Sequence, residues 1–486
     1  MNNSINRRSF LSSVGAGAVA TNLIAPGRKL RAANINEEIN IGVVGCGGRS
    51  KRLMEQFSAV KGVHIGALCD ADESRIALAK EIYTGAKSFA DMRELFADPE
   101  IDAVVIATCN HWHCLAAIWA MEAGKHVYVE KPLSHTQWEG EQTVAAARRH
   151  NKVCQIGTQQ RSDPMQAQIK QFLHEEKALG EIKAVRVNRY GPRGTIGKRD
   201  TPTEIPKNVN YDLWLGPAQE QPIFRNKLHY DWHWDWNTGS GEMGNWGVHI
   251  LDDVRNNIFQ DSVAIPKQIF GGGGRVVWND AGDSPNVQFV YMDTGSIPVV
   301  IGLSNLPAQK GGRKAAPMSG PKSGYVAYCE GGRFEGQRGR AVARDRTGKV
   351  LREFRGNGDV RHQRNFIDAV RANDPSMLNA DIQVGHDSTG WCNLANIAFK
   401  CGAEFERADV DQVKQSTWRD LIEQTEKHLV VHGLSLDDDS IQLSPMLSLD
   451  DEGQFVGDHA EVANKFLKRE YREGYEVPEI ALAEVE

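Results

Sequence analysis

The chain has 486 residues, with 57 basic and 63 acidic side chains and a formal net charge of −6. At about 150 residues per domain, this length allows about three domains and a large apolar core, and 41% hydrophobic residues exclude global disorder. The balanced charge argues against a nucleic-acid binder, and no run reaches the ~18–20 apolar residues of a membrane helix, so we expect no membrane insertion.

The first 33 residues have the layout of an export signal. Arg7 and Arg8 precede a Ser-Phe-Leu tripeptide, and a weakly apolar stretch rich in Gly and Ala runs over residues 14–25. A charged start, a short apolar core and small residues near the end are typical of secretory signals, and the paired arginines resemble the twin-arginine type. We predict a twin-arginine signal over 1–33 and a periplasmic or otherwise exported mature protein. Cleavage near Ala25 and cleavage near Ala33 both fit.

A regular alternation of strands and helices follows over residues 37–157. Apolar runs predict strands at 39–45, 62–70, 102–109, 126–130 and 153–157. Helices are predicted between them, at 49–60, from 74 onward, at 115–123 and at 138–150. Strands that alternate with helices indicate βαβ units, and nearly all-apolar strands are typical of a parallel sheet covered on both faces. The sequence therefore predicts a doubly wound, Rossmann-type domain of the α/β class.

The first turn of this domain has the residues that a dinucleotide needs. It reads Gly45-Cys46-Gly47-Gly48-Arg49-Ser50, and its glycines leave the backbone N–H groups open to a pyrophosphate at a helix N-terminus. Asp70 ends the second predicted strand, where a carboxylate accepts hydrogen bonds from the ribose of NAD and repels the 2′-phosphate of NADP. Arg75 lies nearby in sequence. We predict NAD as the cofactor, with NADP disfavoured, held by Gly45, Gly47, Gly48, Arg49, Asp70 and Arg75.

The segment Cys109-Asn110-His111-Trp112-His113-Cys114 has two thiols and two imidazoles in six residues. Its spacing matches no common zinc pattern, and it follows a predicted strand, where a doubly wound sheet binds its cofactor. We therefore predict no metal site here, and we assign Asn110 and His113 to the nicotinamide ribose. The eight cysteines form no dense framework and are predicted to be mostly free thiols.

Glu130-Lys131-Pro132 ends the fifth predicted strand. With the glycine turn, Asp70 and Asn110-x-x-His113, it resembles the glucose-fructose oxidoreductase / inositol dehydrogenase / MocA family. The resemblance covers roughly residues 39–476. It implies an N-terminal Rossmann domain and a C-terminal α/β domain with a large, open, mostly antiparallel sheet. It also implies that Lys131 lies beside the nicotinamide and bonds the substrate hydroxyl, with Glu130 at the cofactor.

A second segment of the family usually reads Asp-x-x-x-His on a helix, and here it reads Asn245-Trp246-Gly247-Val248-His249. Residues at i and i+4 share one helix face. The amide of Asn245 can orient a hydroxyl but cannot take a proton, so His249 is the predicted proton acceptor and Asn245 a positioning residue. Gly157 to Ser162 resembles a family stretch near both ligands, which assigns Gln159 to the cofactor and Arg161 to the substrate.

Aromatic residues cluster at 229–236, which reads His-Tyr-Asp-Trp-His-Trp-Asp-Trp. Rings stack on the C–H faces of sugars while polar neighbours bind their hydroxyls. We predict that Trp232 and His233 contact a carbohydrate. Burial of the segment in the core of the second domain is the alternative.

The rest of the second domain, 158–430, is predicted from shorter patterns. Residues 182–190 form its first strand, 287–293 and 297–303 form a hairpin, and 271–274 and 308–323 are loops. Helices are predicted at 361–373 and 390–404. The polar tail, 431–486, is predicted to be an extension with one helix at 459–472.

Taken together, the sequence favours an exported NAD-dependent oxidoreductase that acts on a sugar or polyol. Two alternatives stay open: an NAD-dependent glycoside hydrolase that oxidises its substrate transiently, and a sugar-binding protein without activity. The resemblance implies a homo-oligomer.

Overall fold

A computed structural model describes residues 38–481, so the predicted export signal lies outside the described part of the chain. The first domain contains a six-stranded parallel sheet in the order β3-β2-β1-β4-β5-β6. Its strands are Ile39–Val44 (β1), Val63–Cys69 (β2), Lys87–Phe89 (β3), Ala103–Ile106 (β4), His126–Val129 (β5) and Cys154–Ile156 (β6). Its helices are Gly48–Ser58 (α1), Glu73–Lys80 (α2), Met92–Ala97 (α3), His113–Glu122 (α4) and Gln137–Arg149 (α5). The doubly wound prediction is confirmed.

The sequence did not predict β3 and α3. β3 has only three residues, two of them exposed, so no apolar run marks it. α3 is a six-residue helix that begins after Asp91, whose carboxylate accepts a hydrogen bond from the Arg93 N–H at 2.9 Å. Such N-caps favour a helix start, and this signal was available in the sequence.

The second domain contains a twelve-stranded, mostly antiparallel sheet, as the resemblance implies. Its longest path runs β14-β13-β12-β11-β7-β10-β9-β8-β16-β15, with β7 and β10 parallel. The strands are Ile182–Tyr190 (β7), Gln268–Gly274 (β8), Val287–Asp293 (β9), Val299–Ser304 (β10), Ser323–Cys329 (β11), Gly332–Gln337 (β12), Arg340–Asp345 (β13), Val350–Arg355 (β14), Ala403–Glu404 (β15), Gln442–Leu443 (β16), Leu447–Leu449 (β17) and Phe455–Val456 (β18).

The helices of this part are Met165–Lys170 (α6), Tyr211–Leu215 (α7), Val248–Val254 (α8), Arg361–Ala372 (α9), Ile382–Lys400 (α10), Arg407–Val410 (α11), Ser416–Val431 (α12) and Ala460–Asn464 (α13). Apolar side chains of α8 and α10 pack on one face of the large sheet, and those of α12 pack on the other. α10 begins eight residues before its predicted start, because the Asp381 carboxylate caps it by accepting from the Gln383 N–H at 2.9 Å.

The predicted loop at 271–274 is wrong, because these four glycines are the end of β8. The neighbouring strands come so close that a side chain would not fit. A Cβ on Gly271 would lie 2.7 Å from the Phe289 carbonyl oxygen in β9, and one on Gly272 would collide with the Gln442 carbonyl oxygen in β16. Close approach to two backbones therefore explains glycine here, whereas a run of glycines in a sequence usually indicates a loop.

Substitution Gly272→Ala is expected to destabilise this edge of the sheet. The added methyl collides with the backbone of β16, and overpacking of this kind costs about 1–3 kcal/mol. Chemical unfolding measures the loss. Gly85→Ala is the control for loss of glycine alone, because a Cβ there meets no atom within 4 Å and its φ is not positive. A Gly272→Ala variant as stable as the parent chain would contradict the close approach.

The tail, 431–486, is more than an extension. β16 and β17 pair with β8 in the large sheet, and the only helix of its described part is the short α13. Farther on, Tyr475, Val477 and Ile480 pack into the core of the first domain. The tail therefore crosses from one domain to the other. Its strands have two or three residues each, too few to show a period in the sequence.

The predicted strand at 182–190, the antiparallel hairpin of β9 and β10, and the helix at 361–373 are confirmed within one or two residues. All eight cysteines are free thiols. Over residues 38–481, no helix combines the length and the apolar character that crossing a membrane would need.

Candidate active site

A cavity of about 350 Å³ opens at the carboxyl ends of the parallel strands, where the second domain covers them. It brings together most of the predicted site residues. Those from the first domain are Gly45, Gly47, Gly48, Arg49, Asp70, Arg75, Asn110, His113, Glu130 and Lys131, and those from the second are Trp232, His233 and Asn245. Gln159, Arg161 and His249 do not line it.

The glycine turn forms a cradle that fits a dinucleotide pyrophosphate. Gly45 has a φ of +86°, and a Cβ there would lie 2.7 Å from the Ala107 carbonyl oxygen. Gly48 has a φ of +35° and faces open space. No side chain caps the first turn of α1, so its N–H groups stay available to an anion, as in other dinucleotide sites.

Asp70 is fixed at the end of β2 by two backbone donors. The Cys46 N–H donates to Oδ2 at 2.7 Å and the Asp72 N–H donates to Oδ1 at 2.9 Å. Burial raises the pKa of Asp70, and these two bonds oppose that rise. Asp72 has a different role: it caps α2 and accepts from His229 Nε2 at 3.0 Å. The carboxylate of Asp70 is therefore preorganised at the position where an NAD ribose is bound in such folds.

We expect Asp70→Asn to change the choice of cofactor. The amide oxygen can still accept a backbone bond, but the negative charge that opposes a 2′-phosphate is lost and Arg75 stays nearby. Loss of a charged hydrogen bond costs about 1.5–3 kcal/mol, so NAD affinity should fall about tenfold or more, while NADP affinity rises. Titration with NADH and NADPH, followed by nicotinamide fluorescence, measures both. Unchanged preference for NAD would exclude Asp70 as the discriminating residue.

Lys131 lies at the end of β5, where the two domains meet. Its Nζ donates to the Asn245 carbonyl oxygen at 2.7 Å and lies 3.5 Å from the Asn245 Oδ1. Burial lowers the pKa of Lys131, and Arg49 and Arg338 lower it further, against the opposing effect of Glu130 and Glu242. An ammonium group with a lowered pKa is suited to exchange a proton with a hydroxyl.

Glu242 is a site residue that the sequence analysis missed. Its side chain is fully buried and lies one helical turn before Asn245. It accepts from Arg189 Nε at 2.8 Å, from Arg193 Nη2 at 3.0 Å and from Asn245 Nδ2 at 3.2 Å. The bond from Asn245 Nδ2 to Glu242 orients the amide so that Asn245 Oδ1 faces Lys131. The arginines lie about 50 residues earlier in the chain, so the sequence did not show that they surround this carboxylate.

His249 lies one residue into α8 and contacts the edge of the Trp246 ring, with ring centroids 5.8 Å apart. It has no hydrogen-bond partner among residues 38–481, and it is half-buried. Burial lowers its pKa well below the usual value, and Lys131 and Arg338 lower it further. The imidazole is therefore neutral at pH 7 and able to receive a proton. Its role as the proton acceptor stays a prediction.

Two neighbouring side chains bind the Glu130 carboxylate: Arg49, which also lines the cavity, and Gln159, which does not. Glu130 Oε1 accepts from Arg49 Nε at 2.9 Å and from Gln159 Nε2 at 3.1 Å. Gln159 also donates to the Tyr128 hydroxyl at 3.1 Å. Gln159 was predicted to bind the cofactor, but in the structure it supports Glu130 from outside the cavity.

The predicted substrate contact through Arg161 is not what the structure shows. Its Nε donates to Asp252 at 2.8 Å, and its two terminal nitrogens donate to Asp261 at 2.8 Å each. The side chain is only 4% exposed. Arg161 therefore ties α8 to the start of the second domain. The two carboxylates lie about 90 and 100 residues later, so no local pattern in the sequence showed that they bind Arg161.

Asn110 and His113 lie at the cavity wall, as predicted, but each is bound to the protein. Asn110 Nδ2 donates to the Ser240 hydroxyl at 2.8 Å. His113 Nδ1 lies 2.7 Å from the Pro132 carbonyl oxygen, and Nε2 lies 3.3 Å from the Thr108 carbonyl oxygen. Burial lowers the pKa of His113 and keeps its ring neutral. Both residues therefore connect the end of β4 to the segments that carry Lys131 and Asn245.

The aromatic segment divides between two places. Trp232 and His233 line the cavity with their rings stacked 3.7 Å apart, whereas Trp234 is buried in the core. Trp236 faces a separate cavity. Core burial therefore describes Trp234, while sugar contact by Trp232 and His233 stays a prediction. Within the described residues, no group of three or more His, Cys, Asp or Glu side chains is placed to hold a metal ion.

Comparison with known proteins agrees with this architecture. Residues 39–158 match the Gfo/Idh/MocA description "Oxidoreductase family, NAD-binding Rossmann fold", and residues 194–306 match its "C-terminal alpha/beta domain". The first domain is therefore an NAD-binding Rossmann domain. The chain is similar to glycosyl hydrolase family 109 protein 1 of Shewanella sp. strain ANA-3, 34% identical over 180 residues, and to an alpha-N-acetylgalactosaminidase of Shewanella oneidensis, 33% identical over the same length.

Each of these two matches covers 31% of this chain and spans 39% of the length of the relative. Among solved structures, the WlbA dehydrogenase of Bordetella pertussis, in complex with NADH and UDP-GlcNAcA, aligns with a TM-score of 0.54 at 17% identity and covers 74% of this chain and 95% of that one. A levoglucosan dehydrogenase in complex with NADH and levoglucosan gives 0.55 at 18%, with coverage of 74% and 96%. At these identities the likeness shows the fold.

Proposed function

We propose that this chain, which carries both domains of the Gfo/Idh/MocA oxidoreductases, is an exported NAD-dependent oxidoreductase that acts on a sugar or polyol. One observation supports the proposal most directly. Lys131 Nζ, with its lowered pKa, lies at the junction of the dinucleotide cradle and the second domain, 2.7 Å from the backbone of Asn245. A hydroxyl that bonded Lys131 there would stand next to the cofactor site.

In the proposed reaction, different side chains bind, position and deprotonate that hydroxyl. NAD, when bound in the cradle, supplies the acceptor for a hydride. Lys131 binds and polarises the substrate hydroxyl, and Asn245, oriented by Glu242, positions it. We assign removal of the hydroxyl proton to His249, which does not line the cavity but has a neutral ring and lies near enough to Lys131 to feel its charge. Trp232 and His233 offer a stacked aromatic surface to the C–H face of the sugar.

A second function is favoured by the glycosyl hydrolase family 109 relatives. In an NAD-dependent glycoside hydrolase, the same residues would oxidise a sugar hydroxyl, and later steps would release the aglycone, add water and reduce the sugar again. The cofactor then returns to its starting state. This arrangement suits an exported protein, since a compartment outside the cytoplasm offers no supply of free NAD.

One experiment distinguishes these functions. The purified chain is denatured to identify any bound nucleotide, and the native protein is then incubated with a panel of sugars, polyols and aryl glycosides. Net formation of NADH with a free sugar supports the oxidoreductase. Release of aglycone without net NADH supports the hydrolase. Binding of a sugar without either product would support the non-catalytic alternative and count against both enzymes.

Export by the twin-arginine route is part of the proposal and rests on Arg7, Arg8 and the apolar stretch behind them. Replacing both arginines by lysine is expected to leave the protein in the cytoplasm, which cell fractionation measures. Normal export of this variant would contradict the twin-arginine assignment.

We also propose a homo-oligomer, and a monomer mass in light scattering would refute it.

A further inference from the structure

A second cavity, of about 460 Å³, lies on the other side of the Gly239–Ser240 segment from the active site. α10 forms its floor, and the tail beyond α13 forms one wall. Ser240 belongs to both places: its hydroxyl accepts from Asn110 at the active site, and its carbonyl oxygen accepts from Asn396 Nδ2 at 3.0 Å. None of the other residues that line this second cavity has a role in the proposed reaction.

Lys400 places an ammonium group in this cavity without a direct ion-pair contact, and Asp283 on the same wall is near enough to oppose the lowering of its pKa. Its Nζ lies 4.3 Å from the centroid of the Trp236 ring and 5.5 Å from that of Phe466. Within residues 38–481 it makes no hydrogen bond and no ion pair. Burial lowers its pKa to about 8. An ammonium group held between two rings, away from bulk water and without an acceptor, is a binding position for an anion.

Asn396 adds a buried acceptor that lacks a donor. Its Nδ2 is bonded to Ser240, but its Oδ1 is buried and has no hydrogen-bond partner in the described part of the chain. The residue is only 5% exposed. A buried carbonyl without a donor is unfavourable, so a hydroxyl that donated to it would stabilise the complex.

The charge around the cavity favours a negative ligand. Four basic side chains, Lys400, Lys465, Lys468 and Arg469, line it with two acidic ones, Asp283 and Glu470. Arg469 is fixed across the opening, because it donates to His135 Nδ1 at 3.2 Å and to the Asn237 carbonyl oxygen at 3.1 Å. Arg469 is therefore the fixed cation of this wall, whereas Lys468 is exposed and Lys465 is paired with Glu461 at 3.2 Å.

We propose that this cavity is a binding site for a sugar acid, a small polyhydroxylated carboxylate. The carboxylate binds Lys400 and the hydroxyls donate to Asn396 Oδ1 and accept from the surrounding amides. A ligand with only a carboxylate or only hydroxyls would bind only one of these two protein groups. A neutral sugar leaves the Lys400 ammonium without an anion, and a simple carboxylate leaves Asn396 Oδ1 without a donor. The site is separate from Lys131 and does not depend on the activity proposed above.

Isothermal titration of the full chain, saturated with NAD, tests the site with gluconate and glucuronate. Acetate, which has the carboxylate alone, and glucose, which has the hydroxyls alone, are the matched ligands. We expect saturable binding of at least one sugar acid, at least tenfold tighter than that of acetate or glucose. No saturable binding of either acid would overturn the proposal, and acetate that binds as tightly would reduce the site to a plain anion site and overturn it as well.

Variants locate the binding. Lys400→Met keeps the stem over Trp236 and should weaken sugar-acid binding at least tenfold, whereas Lys400→Arg should retain most of it. Lys427→Met, at an exposed lysine of α12, controls for the change in net charge. Lys131→Met should leave the affinity unchanged. If it abolishes binding while Lys400→Met does not, the ligand occupies the active site and the proposal is wrong. Unaltered thermal unfolding of Lys400→Met shows that its fold is intact.

Discussion

Lys131→Met is expected to lower kcat about 10³-fold while NAD binds with unchanged affinity. Positioned proton transfer and polarisation contribute roughly 10²–10⁴-fold in enzymes. The side chain reaches the Asn245 backbone at the edge of the cofactor cradle but forms no part of the glycine turn or of the Asp70 carboxylate. Methionine keeps most of the volume of the stem and removes the charge, so the loss would belong to the ammonium group.

Steady-state kinetics on the sugar or glycoside found in the substrate panel measures this loss, and nicotinamide fluorescence measures cofactor affinity. Lys61→Met, at an exposed lysine after α1, is the matched control and should be neutral. A loss of less than tenfold would show that Lys131 is not the group that activates the substrate. A large loss of NAD affinity would instead place Lys131 among the cofactor contacts.

Glu242→Gln is expected to destabilise the protein by about 3–5 kcal/mol and to lower kcat. The change leaves Arg189 and Arg193 without the carboxylate that compensates their charge, and breaking one partner of a buried ion pair costs this much. The amide of Asn245 also loses its acceptor, so its orientation toward Lys131 is no longer fixed.

Glu335→Gln is a matched control for this prediction. Glu335 also lies between two arginines, Arg333 and Arg344, but its side chain is 21% exposed, and surface pairs contribute about 0–1 kcal/mol. Chemical unfolding of both variants measures the difference. Equal losses of stability in the two variants would show that burial does not determine how much the Glu242 ion pairs stabilise the protein. Full activity in Glu242→Gln would contradict its positioning role.

The residues that follow parallel strands were the ones that the sequence placed well. Gly45, Asp70, Asn110 and Lys131 each come within four residues after an apolar strand, and the carboxyl ends of parallel strands meet at one edge of the sheet. Their convergence on one cavity therefore required only the order of elements. Trp232 and Asn245 lie in the second domain; Trp232 was assigned to the site from its aromatic cluster and Asn245 from a resemblance, and the structure places both in the same cavity.

The sequence-based predictions were less accurate for charged side chains whose partners lie far away in the sequence. Arg161 was assigned to the substrate because its segment resembles a family stretch near both ligands, whereas in the fold it binds Asp252 and Asp261, which lie far along the chain. Glu242 was missed because its arginines lie far away in the sequence, on β7 and in the following loop. Gln159 turned out to hold Glu130 and not to line the cavity.

By itself, the sequence determined the doubly wound first domain and its dinucleotide cradle, because apolar periodicity and glycine turns are local properties of the chain. The large second sheet was expected only because a family resemblance implied it. Only the tertiary structure decided which charges are paired, that four glycines form a strand, and that the tail joins both domains. It alone revealed the cavity at Lys400 and Asn396, since an unpaired buried group is defined by the neighbours that it lacks. Such neighbours come from distant parts of the chain, and no local pattern records them.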